Sequence, residues 1–539
     1  MAKGRSTDVC HLPSAVCLRI LAKWLGLIIL TIAVVSTVRG SQASVPPDHP
    51  VYDFLQRMES KGLIRDLSLY SGPHSRTELA ELLYDAVRHA DRDDLSGLDQ
   101  WYLTKYLAEF SDPRTGPLST DKYRELHLVR YDYRNWTILG DFHASIHDRL
   151  ATGRSPDWQF NLGGEIRANY YSDDAGNLLG GYLRMLTRGE PAPPNPEDNF
   201  DPEEGIPVIH RGGIANTNHV NTGLLWRSDL GRFSLAHDRR WWGRGEIDGL
   251  QLGASAPPGT YFRYTTDLEH LRFSFLTGGL RTGFGHRFFA GHRLEWQPFP
   301  WLQLAVSETV VYGDSTGTRG IEAIYLNPLI PYIAAEPAAG NRDNNTSSLE
   351  ATIYPYRGIQ AYFQWFLDDL TLTESLTRYY GNKWGLLVGC YISDPVGVKN
   401  SGLLLEYVRL EPWVYTHQNP VNRYQHFGQS LGYPMPPNSD RWLVEVRKGL
   451  IPKLRLTADM QYTRHGDGDF EFSHQHPLSR QYVPEKQFLQ GDVTESWIVA
   501  VEGEYEYLQL SYCRLRYEYR QDMTGDPYSL VQIGFSVDY

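Results

Sequence analysis

The chain has 539 residues, a formal net charge of −12 and a mean hydropathy of −0.43, values that exclude a helical membrane protein and argue against nucleic acid as a partner. Aromatic residues make up 13%, with 35 Tyr and 14 Trp. That richness suits a β-barrel, whose polar lumen and loops cancel its apolar outer face in any average.

Residues 1–43 read as a signal peptide. Lys3, Arg5, Arg19 and Lys23 precede an apolar run over 24–38, and Ser41-Gln42-Ala43 supplies a small-x-small cleavage pattern. The run is short for a spanning helix, although an uncleaved anchor is the other reading, because Arg39 interrupts the small-residue tail. Losing this segment removes five basic residues and one acidic residue, which takes the net charge from −12 to −16. Cys390 and Cys513 then remain, in strand-like surroundings, and the sequence leaves their pairing open.

Residues 44–125 carry helical signals. Tyr52, Leu55 and Met58 recur at helical spacing over 51–61, with Gly62 as a stop. Ser75-x-x-Glu78 is a capping box ahead of Leu79, Leu82, Leu83, Ala86 and Val87. A third helix starts near Ser96, presents Leu103, Tyr106, Leu107 and Phe110, and ends at Pro113. Three short helices make only a small core, so they are expected to dock on something larger, as a periplasmic helical region.

From about Leu126 the apolar period changes from 3.6 to 2 and stays there to the end. In residues 158–170, Trp158, Phe160, Leu162, Ile166 and Tyr170 share one face, while Gln159, Asn161, Glu165, Arg167 and Asn169 share the other. This strand pairs naturally with 136–146 as a hairpin. Further strands are expected over 301–312, 358–366, 403–410 and 497–507. Connections alternate between tight ones, at 298–300 and 507–509, and long polar ones, at 189–221, 415–440 and 465–492. Several strands end in aromatic residues, as interfacial girdles do. The chain stops inside an amphipathic strand ending in Tyr539. Residues 126–539 are therefore expected to form a large transmembrane antiparallel β-barrel with long extracellular loops, of roughly 16–20 strands. A soluble sandwich is the alternative, and no internal repeat supports a propeller.

Four segments together resemble the capsule assembly Wzi family. They are Pro47-Asp48-His49-Pro50-Val51-Tyr52 through Ser75-Arg76-Thr77-Glu78; Asp238-Arg239-Arg240-Trp241-Trp242-Gly243-Arg244-Gly245, where Arg244 departs from that family's usual turn; His292-Arg293-Leu294 through Glu308 to Tyr325-Leu326-Asn327-Pro328; and Tyr415-Thr416-His417 through Tyr424-Gln425-His426 to Asn438-Ser439-Asp440. The resemblance implies an outer-membrane barrel of about eighteen strands in a Gram-negative bacterium. Its members are lectins rather than enzymes or exporters, and help hold capsular or extracellular polysaccharide at the cell surface. The other partner implied is outer-membrane lipid, and the chain is expected to be a monomer without cofactors.

A polysaccharide lectin needs flat aromatic faces for sugar C–H surfaces and guanidinium, amide or carboxylate groups for hydroxyls and acidic sugars. Arg239, Arg240, Trp241, Trp242 and Arg244 supply that mixture within six residues, and Tyr415, His417, Tyr424 and His426 supply it in a long loop. The first group equally suits an interfacial aromatic belt beside lumen arginines, and the second a loop that plugs the barrel. His417 and His426, and Asp467, Asp469, Glu471, His474 and His476, lack the spacing of a defined metal site. Glu308 reads as a lumen carboxylate paired with Arg rather than a catalytic acid. No catalytic constellation stands out. A porin of the same architecture, and a surface glycan hydrolase, are the competing functions.

Overall fold

The computed structural model describes residues 41–64, 70–91, 94–111, 127–152, 157–172, 178–192, 199–281, 286–340, 342–470, 485–522 and 525–538. Three helices open the chain: α1 (Val51–Ser60), α2 (Arg76–His89) and α3 (Gly97–Phe110). Their starts follow the expected chemistry. Ser75 accepts from the Glu78 backbone N–H at 3.2 Å, and Glu78 accepts from Ser75 N at 2.7 Å. Ser96 and Asp99 repeat the box at α3. Leu55, Met58, Leu79, Leu83, Leu107 and Phe110 bury together as one small core. Pro113, the expected stop of α3, lies outside the described residues.

Among the described residues a short strand, Val129–Tyr133, pairs with the start of the wall, and eighteen wall strands follow: β1 (Trp136–Ala151), β2 (Asp157–Tyr171), β3 (Leu178–Pro191), β4 (Ile214–Ser228), β5 (Gly231–Asp238), β6 (Gly259–Leu268), β7 (Leu271–Leu280), β8 (His286–Phe299) and β9 (Leu302–Asp314) in the first half. The second half holds β10 (Asn344–Tyr356), β11 (Ile359–Asp369), β12 (Lys383–Ser393), β13 (Ser401–Leu410), β14 (Ser439–Ile451), β15 (Leu454–His465), β16 (Thr494–Leu508), β17 (Ser511–Gln521) and β18 (Tyr528–Asp538). Each is antiparallel to the next, and β18 pairs with β1 to close the barrel. Closure satisfies the backbone groups that an open edge would leave bare. β1 and β2 form the expected hairpin, with Trp136 opposite Tyr170.

The two ends of the barrel differ. One carries two-residue turns at 229–230, 269–270, 300–301, 357–358, 452–453 and 509–510, together with both ends of the barrel sequence. The other carries long loops at 192–213, 239–258, 315–343, 411–438 and 466–493. Two of those, 239–258 and 315–343, are not evident as loops in the sequence, because they are rich in Trp, Ile, Leu and Tyr. The turns expected at 298–300 and 507–509 sit a residue or two later.

Alternation along the strands sorts the two faces. On β2, Leu162 and Ile166 are exposed on the outside at 50% and 57%, whereas Arg167 and Asn169 are buried on the inside. Two rings of outward aromatic pairs bound the apolar band. Trp136–Tyr170, Trp226–Phe233 and Phe299–Trp301 stand toward the short-turn end; Tyr407–Trp442 and Tyr462–Trp497 stand toward the long-loop end. Val444 and Val446 on β14 lie between the rings. Cys390 and Cys513 are free thiols on β12 and β17, separated around the wall. Tyr539 lies outside the described residues.

The helices dock at the short-turn end. Gly358 N donates to Ser60 O at 2.8 Å, Arg57 Nη1 donates to Ser401 O at 2.9 Å, and Lys105 Nζ meets Glu506 at 2.9 Å. Residues 1–40 of the expected leader are outside the described residues. Residues 41–43 are not, and Gln42 is hydrogen-bonded to the barrel wall and to α2, with its N–H on Asn169 Oδ1 and its Nε2 on Thr77 Oγ1, both at 2.9 Å.

Candidate functional site

Loops 239–258 and 411–438 fold inward and pack against the inner face of the wall. Trp242, Leu250, Tyr415, Tyr424, Leu431 and Tyr433 form one core with the inward faces of β6 to β14, among them Phe289, Tyr362 and Leu387. Hydrogen bonds fix the two loops to each other and to the wall. Tyr415 Oη donates to Leu250 O at 2.7 Å, Tyr424 Oη donates to Gln251 O at 2.6 Å, and Gln251 Nε2 donates to Thr309 Oγ1 and Thr346 Oγ1 at 2.7 and 2.9 Å. The 239–258 loop passes down through the lumen. At the short-turn end Trp241 and Trp242 pair with Gly72 and Ser71 as a two-stranded ribbon, and Arg244 Nη2 meets Glu59 Oε1 of α1 at 2.8 Å.

These contacts decide what the candidate residues do. Trp242, Arg244, Tyr415, Tyr424 and His426 are buried as parts of the plug, and so is Arg240, beside the rings of Tyr261 and Phe289 at 5.9 and 5.7 Å. Trp241 sits edge-on to Tyr52. Their partners lie within the plug, the wall and the helices: Arg244 reaches Glu59 and Tyr354, Trp241 packs on Tyr52 and His74, and Tyr415 reaches Leu250 O. His426 is held on both ring nitrogens: Nδ1 accepts from Arg281 N at 3.0 Å and Nε2 faces Pro258 O at 3.3 Å. Burial, with Arg240 nearby, pushes it down to about 3, so it is neutral at pH 7. His417 is part-buried and turned onto Asn419, with its Nδ1 accepting from Asn419 N at 3.0 Å. Among the described residues no cluster of metal-ligating side chains is present; Glu471, His474 and His476 lie outside them.

Glu308 departs from expectation in direction. Ser307 and Thr309 point inward, onto Ser348 and the plug, so Glu308 points outward with Val306. Its partners are His292 Nε2 at 3.1 Å and the backbone N–H of Tyr332 at 2.8 Å, not an arginine.

Of the nine candidates Arg239 alone belongs to a polar cluster at the long-loop end. Its Nη2 lies 2.8 Å from Glu204, and its Nη1 donates to Ala254 O and Ala256 O at 2.9 and 3.0 Å. Glu204 also faces His219 at 3.4 Å and Arg188 at 3.8 Å. Three cationic or protonatable groups thus surround one carboxylate. Burial alone would raise the Glu204 carboxyl, yet His219 and Arg239 hold it below the usual carboxylate range. The Phe427 ring lies against Gly205 beside it, tilted at 45° to the Phe200 ring with centroids 5.4 Å apart, and Phe200 is 41% exposed. The inward faces of β1 to β4 and β14 to β18 carry many polar side chains, some buried, as Arg167 and Glu504 are, and some part-exposed, as Gln159, Asn161, Arg441 and Arg516 are. Arg188, Glu204 and His219 escaped the sequence reading because they lie on three separate elements with no local motif.

No family model matches the chain, and no curated protein sequence matches it. Among solved structures it is similar to Wzi of Escherichia coli, described as an outer-membrane, carbohydrate-binding β-barrel involved in group 1 capsule assembly. The TM-score is 0.57 at 14% identity, covering 93% of this chain and 99% of that one. It is more loosely similar to OpdK of Pseudomonas aeruginosa (TM-score 0.44, 11% identity, 75% of this chain and 98% of that one) and to OmpT of Vibrio cholerae in its in-vitro folded form (0.36, 11%, 75% and 100%). The first likeness establishes the architecture of a closed, eighteen-stranded outer-membrane barrel and nothing finer; the other two are too loose to carry argument.

Proposed function

We propose that the chain is an outer-membrane barrel that binds capsular or extracellular polysaccharide at the cell surface, with α1 to α3 in the periplasm and the long loops outside. The observation that supports this is the Glu204 cluster at the long-loop end, beside a lumen part of which is occupied by the plug. Arg188, 3.8 Å from Glu204, offers a planar guanidinium for sugar carboxylates and hydroxyls, Arg239 holds the cluster together through Glu204 and the loop carbonyls, and Phe200 offers an exposed face for sugar C–H groups. Binding of a repeating polymer by many copies adds weak contacts into firm retention.

The lengthwise passage of 239–258 through the lumen favours binding over conduction. Glu308, held outward on His292 and the Tyr332 N–H, lends no support to the hydrolase reading. The test is binding of polysaccharide, extracted from the source cell's surface, to purified protein in detergent. Wild type should retain it, and Arg188→Ala with Arg239→Ala should lose most of it while keeping the heat-modifiable gel shift of a folded barrel. Equal binding by wild type and the double variant would remove the cluster from the account. Large stable currents in planar bilayers would favour a channel, and release of reducing ends from the polymer would favour a hydrolase.

A further inference from the structure

Loop 315–343 does something different from the other long loops: it folds down over the outside of the wall. Tyr325, Tyr332 and Ala335 bury against Ala290, Val310 and Tyr312, which are outward residues of β8 and β9 and form a cluster separate from the lumen core. The loop contains a short helix, α4 (Tyr332–Ala339). One outward carboxylate of the wall, Glu308, moors it, and Asp343 at the loop's end ties it together from within. Glu308 accepts from the first N–H of α4, and the Tyr332 ring covers the His292 ring at 4.4 Å between centroids. Asp343 accepts from Tyr325 Oη at 2.6 Å and from Arg319 Nη2 at 2.9 Å.

The loop's other face is bare and apolar. Leu329 is 83% exposed, Ile333 70%, Ile321 62% and Leu326 41%. From 323 to 340 the sequence, AIYLNPLIPYIAAEPAAG, has one charged residue, Glu336. A helix apolar on the wall side and on the far side alike is a helix made for a nonpolar surrounding, not for water. The bare face continues the outward band of the same strands, where Leu294, Val306 and Leu349 are exposed beside it at 46%, 49% and 41%.

We infer that residues 321–339 form an external strap immersed in the outer leaflet, with lipid acyl chains as the occupant of its bare face. The strap replaces the lipid contact of Ala290, Val310 and Tyr312 and seals the Glu308–His292 pair, a polar pair on a lipid-facing wall, away from hydrocarbon. Sealing matters because a charged side chain on the lipid face of a barrel is destabilising, increasingly so toward the bilayer midplane. This inference rests on the reading of the barrel as lipid-embedded.

The experiment uses the full chain with Cys10, Cys17, Cys390 and Cys513 each replaced by Ser, reconstituted in vesicles of phosphatidylcholine carrying nitroxide on the acyl chain. Single variants Leu329→Cys and Ile333→Cys on the strap, Val306→Cys on the wall and Glu374→Cys in the exposed 370–382 loop are labelled with an environment-sensitive fluorophore. The strap labels should lose the same fraction of emission to the acyl nitroxide as the Val306 label, and the Glu374 label should instead be quenched by aqueous iodide. If Val306 is quenched by lipid and the strap sites are not, because they are open to iodide or covered by a second copy of the chain, the strap inference is overturned. If Val306 itself is untouched by lipid quencher, the barrel's place in the membrane fails first and the strap's with it.

Discussion

Glu59 of α1 and Arg244 of the lumen loop form an ion pair, 2.8 Å between Oε1 and Nη2, with side chains 1% and 7% exposed. It joins an element before the barrel to one that enters the lumen from the opposite end. Gln303 and Tyr354 of the wall share the site; Tyr354 Oη lies 2.9 Å from Arg244 Nη2, and Gln360 Nε2 donates to Glu59 at 2.8 Å. Helices, plug and wall therefore meet at one buried charge pair.

Removing one partner leaves the other buried and unpaired. Arg244→Ala should lower stability by about 3–5 kcal/mol, whereas replacing both partners, as Glu59→Gln with Arg244→Met, should recover much of that loss. Denaturant midpoints of the folded-barrel gel species check it. Equal loss in the single and double variants would mean that packing, not charge, holds the junction.

Ile166 is 57% exposed on the outer face of β2, and its neighbour Arg167 is 1% exposed on the inner face. Ile166→Lys should cost about 2–4 kcal/mol if it stands near the bilayer midplane. Gln159→Lys, on the inward face, should assemble normally. Outer-membrane fractionation of the two variants makes the comparison, and equal assembly would contradict the facing assigned to β2.

Asp99 at the start of α3 gives the helical region a pH dependence. Burial alone would raise its carboxyl, but Arg57, with Nε at 2.8 Å, and Lys61, with Nζ at 3.0 Å, bring it down to about 2. A carboxyl lowered in the folded state stabilises fully above its ordinary value, near 4, and loses that contribution as pH falls through about 2. The contribution amounts to about 2 kcal/mol. Between pH 5 and 2.5 the helices should become protease-sensitive, less steeply so in Asp99→Asn. The same pH profile in both proteins would discount the pair.

Gln42 bonds Asn169 and Thr77, and Ser41 O accepts from Thr77 N at 3.1 Å. Processing after Ala43 would discard all three hydrogen bonds. The intact mass of the purified outer-membrane form is therefore expected to include residues 41–43. A mass beginning at Ser44 would show that the barrel does without them.

The wall was legible in the sequence because a barrel strand writes its two solvents into alternate residues. Trp158 to Tyr170 showed hairpin and facing together, while the register came only with the structure, and Ser75-x-x-Glu78 showed the start of α2. The plug was not legible for a chemical reason: Trp242, Tyr415 and Tyr424 would serve a sugar platform as well as a core, and only tertiary contact tells which. Glu308 shows two rules in conflict. Alternation with Val306 and Val310 places it outside, and the cost of charge in lipid argues that it belongs inside. Alternation prevailed because a loop more than twenty residues further along covers it. The Glu204 cluster gathers Arg188, His219 and Arg239 from separate elements, which no local pattern records.

The most direct measurement is the partition of polysaccharide between cells and medium in a strain deleted for this protein and complemented with wild type or with the Arg188→Ala, Arg239→Ala double variant. A polysaccharide-binding barrel predicts that deletion moves polymer from cells to medium at unchanged total, that wild type restores attachment and that the double variant does not. Unchanged attachment on deletion, in a strain that makes the polymer, would contradict the proposed function.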